Sequence, residues 1–209
     1  MYKRQTLLFA TTNLNKAKEV EKALALANFP LKVITNRDLE NVPEVIETGT
    51  TFLQNATLKA HKLAQFSQLP TLADDSGLMV DKLNGAPGVY SARYSGEDHN
   101  DARNNAKLLA ELGGVPEQQR TAVFHTTMVL SWPDRYDCDL VSQGEILGRI
   151  LTMPKGEGNF GYDPLFYVAE KGKTFAEMTV EEKNTISHRG IALRKLLAEL
   201  PMWWKKMSK

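Results

Sequence analysis

Residues 70–81, PTLADDSGLMVD, constrain this chain most: two adjacent aspartates interrupt a run that otherwise suits a buried strand. Burying an uncompensated carboxylate costs several kcal/mol or pushes its pKa upward. A fold that takes this run toward its core must therefore meet Asp74 and Asp75 with a metal ion, a basic partner, or water at a strand end. Successive side chains of an extended segment point to opposite faces, so the two carboxylates serve one ion only if the strand ends there. Gly77 allows the bend or close backbone approach that would turn Ser76 toward a ligand.

The surrounding pattern alternates between strands and helices. Residues 6–11 (TLLFAT) and 31–35 (LKVIT) read as strands, separated by a helix over 16–27 with Asn13 or Asn15 as N-cap. A second helix is expected over 51–66, capped by Thr50, with Phe52, Ala56, Leu63 and Phe66 on one face. A third, over 101–112, meets the stop Gly113-Gly114. Two long strands, 120–132 and 136–151, flank a hairpin signal at Pro133-Asp134-Arg135. Ser187 caps a closing helix that Pro201 is expected to stop, leaving 202–209 as a tail whose Trp203 and Trp204 pack on the body or else on a second subunit.

Bulk properties narrow the function. The 209 residues suit one sizeable core, and 42% hydrophobic with 24% charged residues is ordinary for a soluble enzyme or binding protein. A net charge of +1 argues against a broad nucleic-acid footprint. The lone Cys138 rules out an intrachain disulfide and suits a reducing cytoplasm. No stretch approaches the roughly 18 apolar residues of a membrane-spanning helix, and the first apolar run is too short for a signal peptide. A single domain over 1–209, soluble and cytoplasmic, is the expectation.

Four further stretches carry chemistry. In ATTNLNKAKE (10–19) a strand, a polar turn and a helix start form an anion site: Thr11, Thr12 and Asn13 add donors, and Lys16 adds a cation. The turn has neither the P-loop nor the dinucleotide-fold pattern, and an ordinary capped helix stays open. Glu47 lies just before Thr48-Gly49, and Asn55 and Lys59 share a helix face. With Glu47, one aspartate could hold Mg²⁺ through oxygen ligands; a solvated strand-end pair is the plain alternative. In GNFGYDP (158–164), Phe160 and Tyr162 offer flat faces for a base and Asp163 an acceptor, or else they anchor the loop. Lys183, His188 and Arg189 in EEKNTISHRG (181–190) cluster at a helix start, where cations oppose the helix dipole and so hint at a ligand. His61, His99 and His125 have no such context, no zinc spacing occurs, and no nucleophile elbow is present.

Taken in order, TTNLNK, ETGTTFLQNATLKA, LADDSGLMVDKLNGAPGVYSARYSG, FGYDPLF and SHRG resemble the inosine/xanthosine triphosphate pyrophosphatases, a family that hydrolyses non-standard purine nucleotides. The blocks span residues 11–190, and the third is long and specific. The resemblance implies an α/β fold: an elongated mixed β-sheet flanked by helices, in two lobes with the nucleotide cleft between them, assembled as a homodimer. It implies that Thr11, Thr12, Asn13 and Lys16 bind the triphosphate. Glu47 and Asp75 would handle Mg²⁺, with Asp75 also the general base and Asp74 in support. Ser76 and Lys59 would contact phosphate, Phe160 would stack on the base beside Gly161, Tyr162 and Asp163, and Lys183, His188 and Arg189 would complete its recognition. The family often has glutamate where this chain has Gln54, and glycine where it has Thr12. Two rivals remain in the residues: an aspartyl phosphatase, whose D-x-D order is absent, and a non-hydrolysing nucleotide sensor, against which the three carboxylates speak.

Overall fold

The computed structural model describes residues 6–96, 100–158 and 160–209, so His99 lies outside the described residues. Strand β1 (Thr6–Phe9) leads into α1 (Leu14–Leu26), and the chain returns as β2 (Lys32–Thr35), parallel to β1 with Phe9 opposite Thr35. After α2 (Phe52–Ser67), the ten-residue strand β3 (Thr71–Val80) runs parallel to β1 on its other edge, Phe9 opposite Leu72. Then follow α3 (Asp101–Glu111), β4 (Thr121–Ser131), β5 (Leu140–Ile150), β6 (Phe166–Val168), β7 (Lys173–Thr174), α4 (Val180–Ile186) and α5 (His188–Met207). The sheet order is β2-β1-β3-β4-β5-β6-β7, and β6 pairs antiparallel with both β5 and β7. The fold is therefore α/β on an open mixed sheet of seven strands.

The chain divides into two compact units. The first takes in residues up to Asp75 together with Thr127–Gln143 and Ala192–Lys209; the second is Ser76–Thr126 with Gly144–Ile191. In unit 1, Ala17, Val20 and Leu24 of α1 join Leu7 and Phe9, Leu72, Met128 and Leu130, and the α5 residues Leu193, Leu196 and Leu200 in one core. Ala56 and Ala60 of α2 pack against Ala73, Val129 and Ala10 in a second, smaller cluster. Leu72 and Ala73 are neighbours on β3 that belong to different clusters, as the two-residue period of a strand requires. In unit 2, Leu78, Val80, Phe124, Ile150, Tyr162, Phe166 and Phe175 make a separate core with Leu108 and Leu112 of α3.

Several local expectations are corrected. Residues Thr71–Val80 form one unbroken strand, so Asp74 and Asp75 lie mid-strand and buried rather than at a solvated end. The cap of α2 is Thr51, whose hydroxyl accepts from the Gln54 amide while the Gln54 side chain accepts from the Thr51 amide. Gln54 stands three residues after Thr51, the spacing of a capping box, and Thr50 is not so placed. Phe66 is exposed, and a 3-10 turn over Tyr136–Cys138 lengthens the β4–β5 connection. Helix α5 runs through Pro201 to Met207. A proline inside a helix costs about 3 kcal/mol. The following turn offsets it by burying Trp203, Trp204 and Met207, with the Trp203 indole donating to the Cys138 carbonyl at 2.5 Å.

Candidate active site

Strand order reverses about β1, with β2 on one edge and β3 on the other, and ligands of open α/β sheets favour the carboxyl ends of strands at such a reversal. Strand β1 stops at Phe9 opposite Leu72, so Asp74 and Asp75 run on beyond its carboxyl end. The turn 10–13 leaves that same end. Asn13 caps α1, its side-chain oxygen accepting from the amides of Asn15 at 3.0 Å and Lys16 at 3.3 Å. The cap thus satisfies two of the amides an anion could have used. Thr12 is exposed on the turn.

The aspartates take their partners from different helices. Asp74, two residues after Leu72, shares the α1 face and accepts from the Lys16 ammonium at 2.9 and 3.2 Å. Asp75, two residues after Ala73, shares the α2 face, where Asn55 donates to its Oδ2 at 3.1 Å and the Lys59 ammonium stands 3.7 Å from its Oδ1. Both helices approach closely for a local reason: Ala17 on α1, and Ala56 and Ala60 on α2, are small residues at the buried stripe. Burial pushes the Asp75 carboxyl up to about 6, against the pull of Lys59, with Glu47 adding to the rise, Asn55 opposing it, and Asp74 adding to it again. Burial also disfavours the Lys59 charge, but Asp75, Asp74 and Glu47 outweigh that and raise its pKa.

Glu47 reaches this group from a stretch without regular structure. The Lys59 ammonium donates to it at 2.7 Å, Asn55 accepts the Gly49 amide at 2.8 Å, and Lys62 donates to the Glu44 carbonyl at 2.6 Å. Residues 55, 59 and 62 of α2 thus form one stripe that holds residues 44–49 along the helix. A Cβ on Gly49 would come within 2.6 Å of Asn55 Oδ1, so only glycine lets the chain lie this close. A cavity of about 370 Å³ opens here, lined among others by Thr12, Asn36, Glu44 and Lys59.

Among the described residues, no three His, Cys, Asp or Glu side chains converge as a self-sufficient metal cage. Mg²⁺ does not need one, because it is commonly held by one or two carboxylates with water and substrate phosphate. Glu47 and Asp75 are hard oxygen donors close enough to share one lysine ammonium, and one has its pKa raised by burial. That donor set fits the ion.

Unit 2 carries the second group of expected residues. Phe160 is 55% exposed at the loop tip, with the Lys183 ammonium 5.6 Å from its ring centre. Lys183 donates to the buried Asp163. Burial raises the Asp163 carboxyl, opposed by Lys183 and by Arg189, so these three groups lie within electrostatic reach of one another. His188 is buried and stacks on Phe124, the rings 4.9 Å apart at 10°. Gly161, at φ +54°, has its amide bound by Asp101 at 2.7 Å and its carbonyl by Asn105 at 2.9 Å. Ser76 shares a 2.6 Å hydrogen bond with Thr126. Tyr162 does not offer a stacking face: its ring lies in the unit 2 core and its hydroxyl donates to the Ser91 carbonyl at 2.9 Å.

The sequence places Asn55 on the Lys59 face without giving it a role, and Asp101 and Asn105 are not among the expected site residues. Asn55 does carry a signal, since a polar residue between Phe52 and Ala56 falls on the buried stripe. The two that grip Gly161 carry none, because their partner is backbone 56 and 60 residues away. His61 and His125, bland in sequence, are structural: His61 contacts Asp139 at 2.6 Å and His125 contacts Glu145 at 2.9 Å.

Known proteins resemble the chain over nearly its whole length. A dITP/XTP pyrophosphatase of Lactobacillus johnsonii is 76% identical, covering 97% of this chain and 98% of its own. One from Lactobacillus acidophilus is 59% identical over 94% and 98%. The solved structure of a HAM1 protein from Coxiella burnetii superposes with a TM-score of 0.88 at 39% identity, covering 95% of this chain and 99% of that one. The Ham1 family model matches residues 7–199, and the chain belongs to the Ham1 family.

Proposed function

We propose that this protein is a Mg²⁺-dependent pyrophosphatase of non-standard purine nucleoside triphosphates. It would convert inosine, deoxyinosine and xanthosine triphosphates to the nucleoside monophosphate and pyrophosphate. The observation that carries the reading is Asp75, a buried carboxylate with its pKa raised to about 6, oriented by Asn55 and faced by Glu47 and Lys59. Relatives named dITP/XTP pyrophosphatase support the substrate class.

In this reading Thr11, Thr12, Asn13 and Lys16 receive the triphosphate, whose roughly four negative charges call for cations and backbone donors. Glu47 and Asp75 would hold the metal ion, which when bound neutralises charge developing on the phosphoryl oxygens. Asp75 accepts the proton of the water that attacks the α-phosphorus; the bond to the β-phosphate breaks and pyrophosphate leaves. Asp74 steadies Lys16, and Lys59 and Ser76 contact phosphate. Phe160 stacks on the base, while Lys183, held by Asp163, joins His188 and Arg189 in presenting donors. Donors suit a 6-oxo purine and leave a buried mismatch against adenine's 6-amino group.

A substrate panel with Mg²⁺ tests this. The expected result is pyrophosphate release from the three non-standard triphosphates and little from the four standard ones. Equal turnover of ATP would overturn the base assignment. Orthophosphate with a covalent phospho-aspartate would point to an aspartyl phosphatase instead.

A further inference from the structure

The Lys59 ammonium stands between two carboxylates, 2.7 Å from Glu47 Oε1 and 3.7 Å from Asp75 Oδ1. Its side chain is only 16% exposed, and its helix is fixed on the sheet by Ala56 and Ala60 on either side. The two carboxylates are held independently of it. Asp75 belongs to β3 and is bound by Asn55, while the stretch bearing Glu47 is tied down by Asn55 at Gly49 and by Lys62 at Glu44.

Magnesium sits about 2.1 Å from a carboxylate oxygen. An ion on the Glu47 oxygen that Lys59 already binds would lie within about 5 Å of the ammonium, two like charges in a partly desolvated site. The count of charges leads the same way. Asp74 is matched by Lys16, and one lysine already offsets half the charge of Glu47 and Asp75 together.

We propose that Lys59 is the resident counter-cation of the Glu47–Asp75 pair, so that a divalent ion binds tightly only as the ammonium leaves for the incoming triphosphate. The inference rests on the metal assignment above and adds an order to it: metal and nucleotide bind with positive coupling, because the phosphates give Lys59 an alternative partner. By linkage the coupling is reciprocal, and bound metal favours nucleotide to the same degree.

Mn²⁺ titrated into metal-stripped protein without nucleotide, followed by calorimetry or by the electron spin resonance of free Mn²⁺, tests the competition. Lys59→Met is expected to bind Mn²⁺ at least about tenfold tighter than the wild type, because the competing charge is gone. Lys22→Met, an exposed lysine of α1, is the control for net charge and should change the affinity by less than about threefold. Unchanged or weaker binding by Lys59→Met, or an equal gain in Lys22→Met, would overturn the proposal. Adding Glu47→Gln to Lys59→Met separates the two levels: if the double variant binds Mn²⁺ as well as Lys59→Met does, the metal assignment itself is wrong. Should Lys59→Met not fold without metal, Lys59→Gln replaces it. A thermal midpoint for that variant rising more steeply with Mn²⁺ than the wild type's supports competition, and an equal or smaller rise refutes it.

Discussion

The side-chain amide of Asn55 donates to Oδ2 of Asp75 at 3.1 Å, from a residue with 0% of its surface exposed. Its oxygen is occupied by the Gly49 amide, so the orientation of the group is set at both ends. Asn55→Ala is expected to lower kcat about 100-fold with a smaller change in KM, since misplacing a reacting group by about 1 Å costs on that order. Asn55→Asp keeps an acceptor for Gly49 but sets oxygen against oxygen at Asp75, and should be as slow. Steady-state kinetics with circular dichroism for the fold checks both, and a normal rate in Asn55→Asp would remove Asp75 from the chemistry.

Asp75→Asn should abolish turnover and yet stabilise the metal-free protein. The folded pKa, about 6, exceeds the ordinary 3.8, so the folded state binds more protons over that interval and stability falls as pH rises through it. The penalty is fully present above pH 6 and amounts to at most about 3 kcal/mol. Urea denaturation at pH 8 should favour the variant, and the advantage should shrink as the pH approaches 4.

Phe160→Ala removes a ring that is already half in water, so stability should change by less than about 0.5 kcal/mol. Stacking on a base is worth about 1–3 kcal/mol, which predicts a KM roughly tenfold higher with kcat less affected. A KM at the wild-type level would show that the base is held elsewhere.

Trp203→Ala should cost about 3–5 kcal/mol in chemical denaturation, the range for emptying a buried aromatic site. The indole packs in the unit 1 core and donates to the Cys138 carbonyl. A loss under 1 kcal/mol would mean the last turn of α5 is not held by this contact.

Much of the site is legible in the order of residues alone. Asn13 lies before a helical stripe and is the cap, and the apolar spacing of α1 and α5 places their buried faces. The pattern misleads where local rules compete. Pro201 is a strong stop signal by itself, but the Trp203, Trp204 and Met207 that follow bury enough surface to outweigh it. Tyr162 reads as a twin of Phe160, two residues away in a glycine loop; the left-handed turn at Gly161 leaves one ring outside and sends the other into the core.

Sequence by itself determined that Asp74 and Asp75 face opposite ways, because adjacent side chains on a strand must. It also determined that a cation, Lys16, begins the first helix, and that Asn55 and Lys59 share one face of the second. Which cation meets which carboxylate was decided only in the folded molecule, where Lys16 reaches Asp74 across 58 positions of chain. The same holds for the state of Asp75. An aspartate in solution ionises near 3.8, and its rise to about 6 comes first from the helix that covers it and then from the balance of Lys59 and Glu47 beside it. Those are distances through space, and no local pattern encodes them.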